Sequence, residues 1–268
     1  MSLPLKRLKQ TRCFLLDMDG TVYLGDKLLP GARELLQWLT EHQIPYLFLT
    51  NNSSKNKKEY AQKLTRLGLP TEESQIFTSG DATIIFLKKH TPFQRIYLVG
   101  TPALEEDFSS HGFILTDQDP ECVVLGFDTT ITYSKMARLC QWLVTGIPYI
   151  ATHPDINCPT ETGFIPDIGS MIEMFAASTG RRPDHIIGKP NRPMVDAIAE
   201  KVSIPVNQMA MIGDRLYTDI AMGASGLLTI LVLSGETTPA HLSNSSIQPD
   251  LVAPNLAGVV DWLKQPLP

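Results

Sequence analysis

Two carboxylates separated by a single residue, Asp17 and Asp19, close the apolar run Cys13–Leu16 and are followed by Gly20 and Thr21. A short continuous apolar run reads as a strand buried on both faces. Open α/β sheets bind ligands just beyond the carboxyl ends of such strands. At a turn in that position both acids can face one small site, where a cation or a shared proton must relieve their repulsion. Gly20 allows the backbone to turn sharply. Alone, the motif is also what a turn with a capping aspartate looks like.

Three further apolar runs end in the same manner. Pro45–Leu49 ends at Thr50-Asn51-Asn52, whose hydroxyl and backbone N–H groups are suitable donors to phosphate oxygens. Gly188-Lys189-Pro190 places a lysine where it can neutralise a bound phosphoryl group. It is not a Walker loop, because residue 183 is proline rather than glycine. Met209–Ile212 leads into Gly213-Asp214-Arg215-Leu216-Tyr217-Thr218-Asp219, where Asp214 can complete an oxygen-ligand set for Mg²⁺. Asp219 has two readings that the residues leave open, a place in the metal shell or an acid at a helix N-terminus. Each motif alone is common. Together they supply a nucleophile, a donor, a cation and a metal ligand, the parts that phosphoryl transfer needs.

The elements that must position these groups alternate along the chain. Strands are expected at Cys13–Leu16, Pro45–Leu49 and 76–78, with amphipathic helices over Pro30–Glu41 and Lys57–Leu67 between them. Further strands are expected at Arg95–Val99, Cys122–Phe127 and Pro148–Thr152, with helices over Pro102–His111 and Ser134–Thr145. Beyond Gly180 the alternation resumes through 185–187, 209–212 and 228–233, with helices over 192–202, 219–224 and near 259–264. The pattern predicts an α/β fold. Its core is a Rossmann-like, doubly wound parallel sheet formed by residues 1–80 and 183–268, with an inserted α/β cap domain over 81–182. An internal echo accompanies the insertion. Ala32-Arg33, Gln37-Trp38-Leu39 and Ile44-Pro45-Tyr46 are matched by Ala137-Arg138, Gln141-Trp142-Leu143 and Ile147-Pro148-Tyr149. Extended backwards, the match sets Asp19 against Asp128 but Asp17 against Gly126, so only the first copy carries the leading acid.

Composition narrows the class. With 268 residues and 43% hydrophobic content the chain can bury one large core or two modest ones. A net charge of -5 argues against nucleic acid as the main partner. Cys13, Cys122, Cys140 and Cys158 show no CxxC spacing and are expected as buried, reduced thiols. The six histidines show no HxH or HExxH spacing. The basic N-terminal segment lacks the apolar stretch of a signal peptide, and no run reaches the length of a membrane span. A cytoplasmic enzyme without membrane or nucleic-acid partners is the expectation.

The order and context of the four motifs resemble the haloacid dehalogenase superfamily over nearly the whole chain. DMDGTVYLGD, TNN, Ala151-Thr152-His153-Pro154-Asp155, GKP, GDRLYTD and LVLSGET are similar to its NagD-like and 4-nitrophenylphosphatase-like subgroup. Many members carry Asn where this chain has His153. The resemblance implies a Mg²⁺-dependent phosphatase in which Asp17 attacks phosphorus to form an aspartyl-phosphate. Asp19 would act as acid and then base, while Thr50, Asn51 and Lys189 hold the phosphoryl oxygens. Asp17, the main-chain oxygen of Asp19 and Asp214 would bind the metal, with Asp219 behind them. It points to a cap that selects a small phosphorylated metabolite, such as a nucleotide, a sugar phosphate or pyridoxal phosphate. His153, Pro154, Asp155 and Asn157 are the candidates for cap contacts. A homodimer is compatible with it. A phosphomutase and a catalytically idle phosphate-binding protein of the same fold are the alternatives.

Overall fold

The computed structural model describes residues 2–160 and 163–265. The chain divides into two compact units. The first gathers the described residues up to Leu49, Ala61–Phe77 and those from Ile198 onward; the second gathers Thr50–Tyr60 and Thr78–Ala197.

The first unit is built on a six-stranded sheet. Its strands, in spatial order, are Leu251–Ala253, Leu228–Val232, Met209–Gly213, Cys13–Asp17, Tyr46–Thr50 and Ile76–Thr78. Cys13–Asp17 pairs in parallel with both of its neighbours. Cys13, Phe14, Leu15 and Leu16 are wholly buried, as a strand covered on both faces requires. Early strands continue on one side of Cys13–Asp17 and late strands on the other, so the strand order reverses at Asp17. In open parallel sheets that reversal opens a crevice at the carboxyl ends of the strands. The register opposes Leu16 to Ile212 and Asp17 to Leu49. Asp17 therefore lies one step beyond the pair that Ile212 closes, level with Gly213, and Asp214 follows.

Helices cover this sheet through apolar stripes at helical spacing. Ala32–Glu41 buries Ala32, Leu35, Leu36 and Leu39, and Leu256–Lys264 buries Leu256, Val259, Val260 and Leu263. Their junction is tight. A Cβ at Gly31, whose φ is +87°, would collide with the backbone of Ala257.

The second unit has its own parallel sheet, ordered His185–Ile186, Tyr149–Ala151, Cys122–Leu125, Arg95–Val99 and Ile114–Leu115. Val99, Val123, Leu125, Leu139, Tyr149 and Phe175 are among the residues that form its core. Both halves of the internal echo fold as a helix followed by a strand, Ala32–Glu41 with Tyr46–Thr50 and Tyr133–Leu143 with Tyr149–Ala151.

The unit boundaries differ from the expected 81–182. His185–Ile186 pairs with Tyr149–Ala151, which draws the segment carrying Lys189 into the second unit. Thr50–Tyr60 joins it as well, because Asn51 and Ser53 bond to residues there. No helix among the described residues is long and apolar enough to cross a membrane. Of the four thiols only Cys13 and Cys122 are buried; Cys140 and Cys158 lie at intermediate depth.

Candidate active site

In the first unit, three carboxylates converge where the central strands end. Asp17, Asp214 and Asp219 each offer an oxygen within 4.8 Å of the others. Asp214 and Asp219 are buried and Asp17 is half-buried. The loops around them leave almost no space. A Cβ at Gly20 or at Gly235 would run into the Asp214 carboxylate, and one at Gly213 would run into Asp219. Gly20 also holds φ at +85°, a conformation that side chains disfavour.

Backbone donors fix the two buried acids. The Glu236 N–H donates to Asp214 Oδ2 at 2.6 Å, and the Arg215 N–H donates to Asp219 Oδ2 at 3.1 Å. The Thr21 hydroxyl stands 3.4 Å from Asp214 Oδ1. The side chain of Asp219 makes no cap to the following 3₁₀ helix, Ile220–Ser225. The helix-cap reading of Asp219 is thereby set aside, because its carboxylate turns back to Arg215 and toward the other two acids. The expected helix over 219–224 is this 3₁₀ turn.

Burial, with the Asp219 carboxylate beside it, pushes the Asp214 carboxyl up to about 6. Negative charge is therefore crowded here beyond what the local N–H groups relieve. Buried carboxylate oxygens are the donor set of a hard divalent cation such as Mg²⁺, and these residues fit one.

Asp19 is differently placed. It is exposed, and its Oδ2 accepts a hydrogen bond from the Tyr23 hydroxyl at 3.2 Å. Tyr23 is fully buried, with the Lys63 ammonium 3.9 Å from its ring centroid. A rigid phenol thus orients a carboxylate that remains open to water.

The second unit holds the other predicted groups. Thr50, Asn51 and Lys189 are all buried there. Thr50 Oγ1 accepts from the Asn52 N–H at 3.1 Å. The Asn51 side chain clasps the main chain of Lys189: Oδ1 accepts its N–H at 2.8 Å and Nδ2 donates to its carbonyl at 2.9 Å. Nδ2 also donates to Asp155 Oδ1 at 2.8 Å. The amide of Asn51 is therefore spent on protein partners.

His153 is wholly buried. Its Nε2 lies 2.9 Å from Asp167 Oδ1, and its Nδ1 lies 3.1 Å from the Thr152 hydroxyl. His153, Asp155 and Asp167 offer ligand atoms within 4.8 Å of one another, a grouping that no short-range spacing announced. Pro154 is half-buried and Asn157 is exposed.

Several contributors escaped the sequence reading. Tyr23 sits four residues past Asp19 without a motif of its own. Gly235 and Glu236 fall within LVLSGET, to which the resemblance attaches no role. Their signal is the rule used elsewhere, since the strand Leu228–Val232 runs into Ser234-Gly235-Glu236.

Comparison with known proteins identifies a family. Residues 14–114 match a family model described as haloacid dehalogenase-like hydrolase, and residues 186–259 match a second, HAD-hydrolase-like model. An acid sugar phosphatase of Staphylococcus saprophyticus is 31% identical over 260 residues, covering 96% of this chain and 100% of that protein. A 5′-nucleotidase of Bacillus subtilis is 33% identical over 243 residues, covering 90% of this chain and 94% of its own length. The solved structure of a 4-nitrophenylphosphatase from Thermotoga maritima is 45% identical. It superimposes with a TM-score of 0.93 and covers 96% of this chain and 99% of that one.

Proposed function

This chain belongs to the haloacid dehalogenase-like hydrolases, and from that premise we propose that it hydrolyses small phosphate monoesters with Mg²⁺ and an aspartyl-phosphate on Asp17. The observation that carries the reading is the convergence of Asp17, Asp214 and Asp219 at the reversal point of a parallel sheet.

In this reading Asp17 Oδ attacks phosphorus and the bond from phosphorus to the substrate's ester oxygen breaks. Splitting hydrolysis into two displacements is the logic of covalent catalysis. Asp19, in its protonated form, passes its proton to the departing oxygen. Now ionised, it removes a proton from the water that attacks the phosphoryl group, which frees Asp17 and releases phosphate. Its exposure and its bond from Tyr23 suit a group that must meet both a leaving alcohol and water. Mg²⁺ held by Asp17, the Asp19 main-chain oxygen and Asp214, with Asp219 adjoining, would offset repulsion between an anionic nucleophile and an anionic substrate. Thr50 and the backbone of Asn51 would donate to the phosphoryl oxygens, and the Lys189 ammonium would balance charge as it shifts.

Relatives named for a sugar phosphatase, a nucleotidase and a 4-nitrophenylphosphatase support a small phosphorylated metabolite as substrate. Turnover of 4-nitrophenyl phosphate in Mg²⁺, and its loss in EDTA, is the test. Turnover that survives EDTA, or no release of phosphate from any of a panel of nucleotides and sugar phosphates, contradicts the reading.

A further inference from the structure

We propose that Asp155 is a positioning residue for Lys189 and acts through the side chain of Asn51. The inference rests on the phosphatase reading for its catalytic consequence only; its structural content stands within the second unit.

The chain of contacts is short and directional. Asn51 reads both main-chain groups of Lys189, its Oδ1 taking the N–H at 2.8 Å and its Nδ2 giving to the carbonyl at 2.9 Å. One hydrogen of Nδ2 remains, and it points to Asp155 Oδ1 at 2.8 Å. An ionised carboxylate only accepts, so only the nitrogen of the amide can face it. A rotated Asn51 amide would set its oxygen against the Asp155 carboxylate and against the Lys189 carbonyl. Asp155 thus reinforces, from a third side, the one orientation in which Asn51 can hold Lys189.

Asp155 is itself held. Its carbonyl accepts the Gly169 N–H at 2.7 Å, and a Cβ at Gly169 would collide with Pro154. Gly169 lies in the first turn of the helix Ile168–Thr179, whose N-cap is Asp167, the partner of His153. The other end of the frame is equally tight. The Gly188 N–H donates to Thr152 O at 2.7 Å, and a Cβ on Gly188 would stand 2.6 Å from Asn51 Oδ1. The loops of residues 50–51, 152–155 and 188–189 therefore form one clamp. A lysine on a flexible stem gains direction only from a fixed main chain, and small misplacements in such groups are costly. In this role Asp155 supports the lysine and makes no contact with substrate.

Two readouts test this. The first is hydrogen exchange of the Lys189 backbone N–H, which reports opening of the clamp whether or not the enzyme turns over. Asp155→Ala should speed it, and Asp155→Asn, which keeps an acceptor oxygen, should restore slow exchange. The second is a cycle on 4-nitrophenyl phosphate turnover. Asp155→Ala should lower kcat by about tenfold or more in the wild-type background and by less than about twofold with Lys189→Met, because the two act as one unit. Unchanged Lys189 exchange in Asp155→Ala, or the same loss in both backgrounds, overturns the proposal. If Asp155→Ala does not fold, Asp155→Ser carries the same predictions. A wild-type protein without turnover would defeat the phosphatase reading alone, and the exchange result would still decide this one.

Discussion

Gly20 approaches Asp214 so closely that no side chain fits between them. With φ at +85°, Gly20 would also pay a backbone penalty of about 1–2 kcal/mol on gaining a Cβ. Gly20→Ala must therefore push the carboxylate aside. The expected result is a loss of about a hundredfold in kcat, with a rise in the Mg²⁺ concentration needed for half-maximal rate. Steady-state kinetics across a Mg²⁺ series measures both, and an unaffected Mg²⁺ requirement would show that Asp214 is not displaced.

Asp214→Asn keeps the shape of the side chain and removes one of three crowded charges. Apparent Mg²⁺ affinity should fall by about tenfold or more, since a carboxylate ligand is lost. In EDTA the same variant should melt at a higher temperature than wild type, because a charge is no longer buried there and its repulsion with Asp219 is gone. Calorimetric titration with Mg²⁺ and thermal melts in EDTA check the two halves.

Asp107, in the second unit, gives a pH dependence of its own. Burial, with Asp81 nearby, pushes its carboxyl from 3.8 up to about 6. The folded protein thus holds this proton more tightly than the unfolded chain does. The stabilising contribution is complete below about 3.8 and is lost as pH rises through about 6. Asp107→Asn, a neutral mimic, should raise the urea midpoint at about pH 8 and make almost no difference at about pH 3. A variant that gains nothing at the higher pH contradicts the assignment.

The thiols should fall into two classes. Burial pushes Cys13 and Cys122 up to about 12, so neither offers thiolate or access near neutral pH. Iodoacetamide on the native protein should modify Cys140 and Cys158 alone, with all four reacting in denaturant. Peptide mass mapping reads the outcome.

Three motif-bearing strands, Cys13–Asp17, Tyr46–Thr50 and Met209–Gly213, could be read from the chain because burial writes them as apolar runs, as in Phe14-Leu15-Leu16, whereas His185–Ile186 is two residues long with an exposed histidine. Asp17 and Asp214 were legible for the same reason, each standing where such a run ends, while Asp19 and Asp219 follow them by two and five residues. Other elements had no such mark. The helix Ser79–His90 buries Ser79, Gly80, Asp81 and Thr83 together with Ala82, Ile84 and Leu87, so its inner face mixes polar and small residues with only a short apolar stretch. The hairpin of Asn157–Thr160 with Gly163–Pro166 is largely exposed and reads as loop. The clamp was hidden by distance, since Asn51 meets Asp155 across 104 positions and Lys189 across 138. It also uses main-chain groups, which every residue owns and no residue type reveals.

The central claim is that phosphorus passes through the carboxylate of Asp17. Rapid acid quench of the enzyme during turnover of a phosphate monoester, followed by peptide mass mapping, tests it most directly. The account predicts a phosphoryl group on the peptide containing Asp17, absent from Asp17→Asn, which should retain less than about a hundredth of the wild-type rate. A phosphorylated peptide elsewhere in the chain, or sustained turnover by Asp17→Asn, would contradict it.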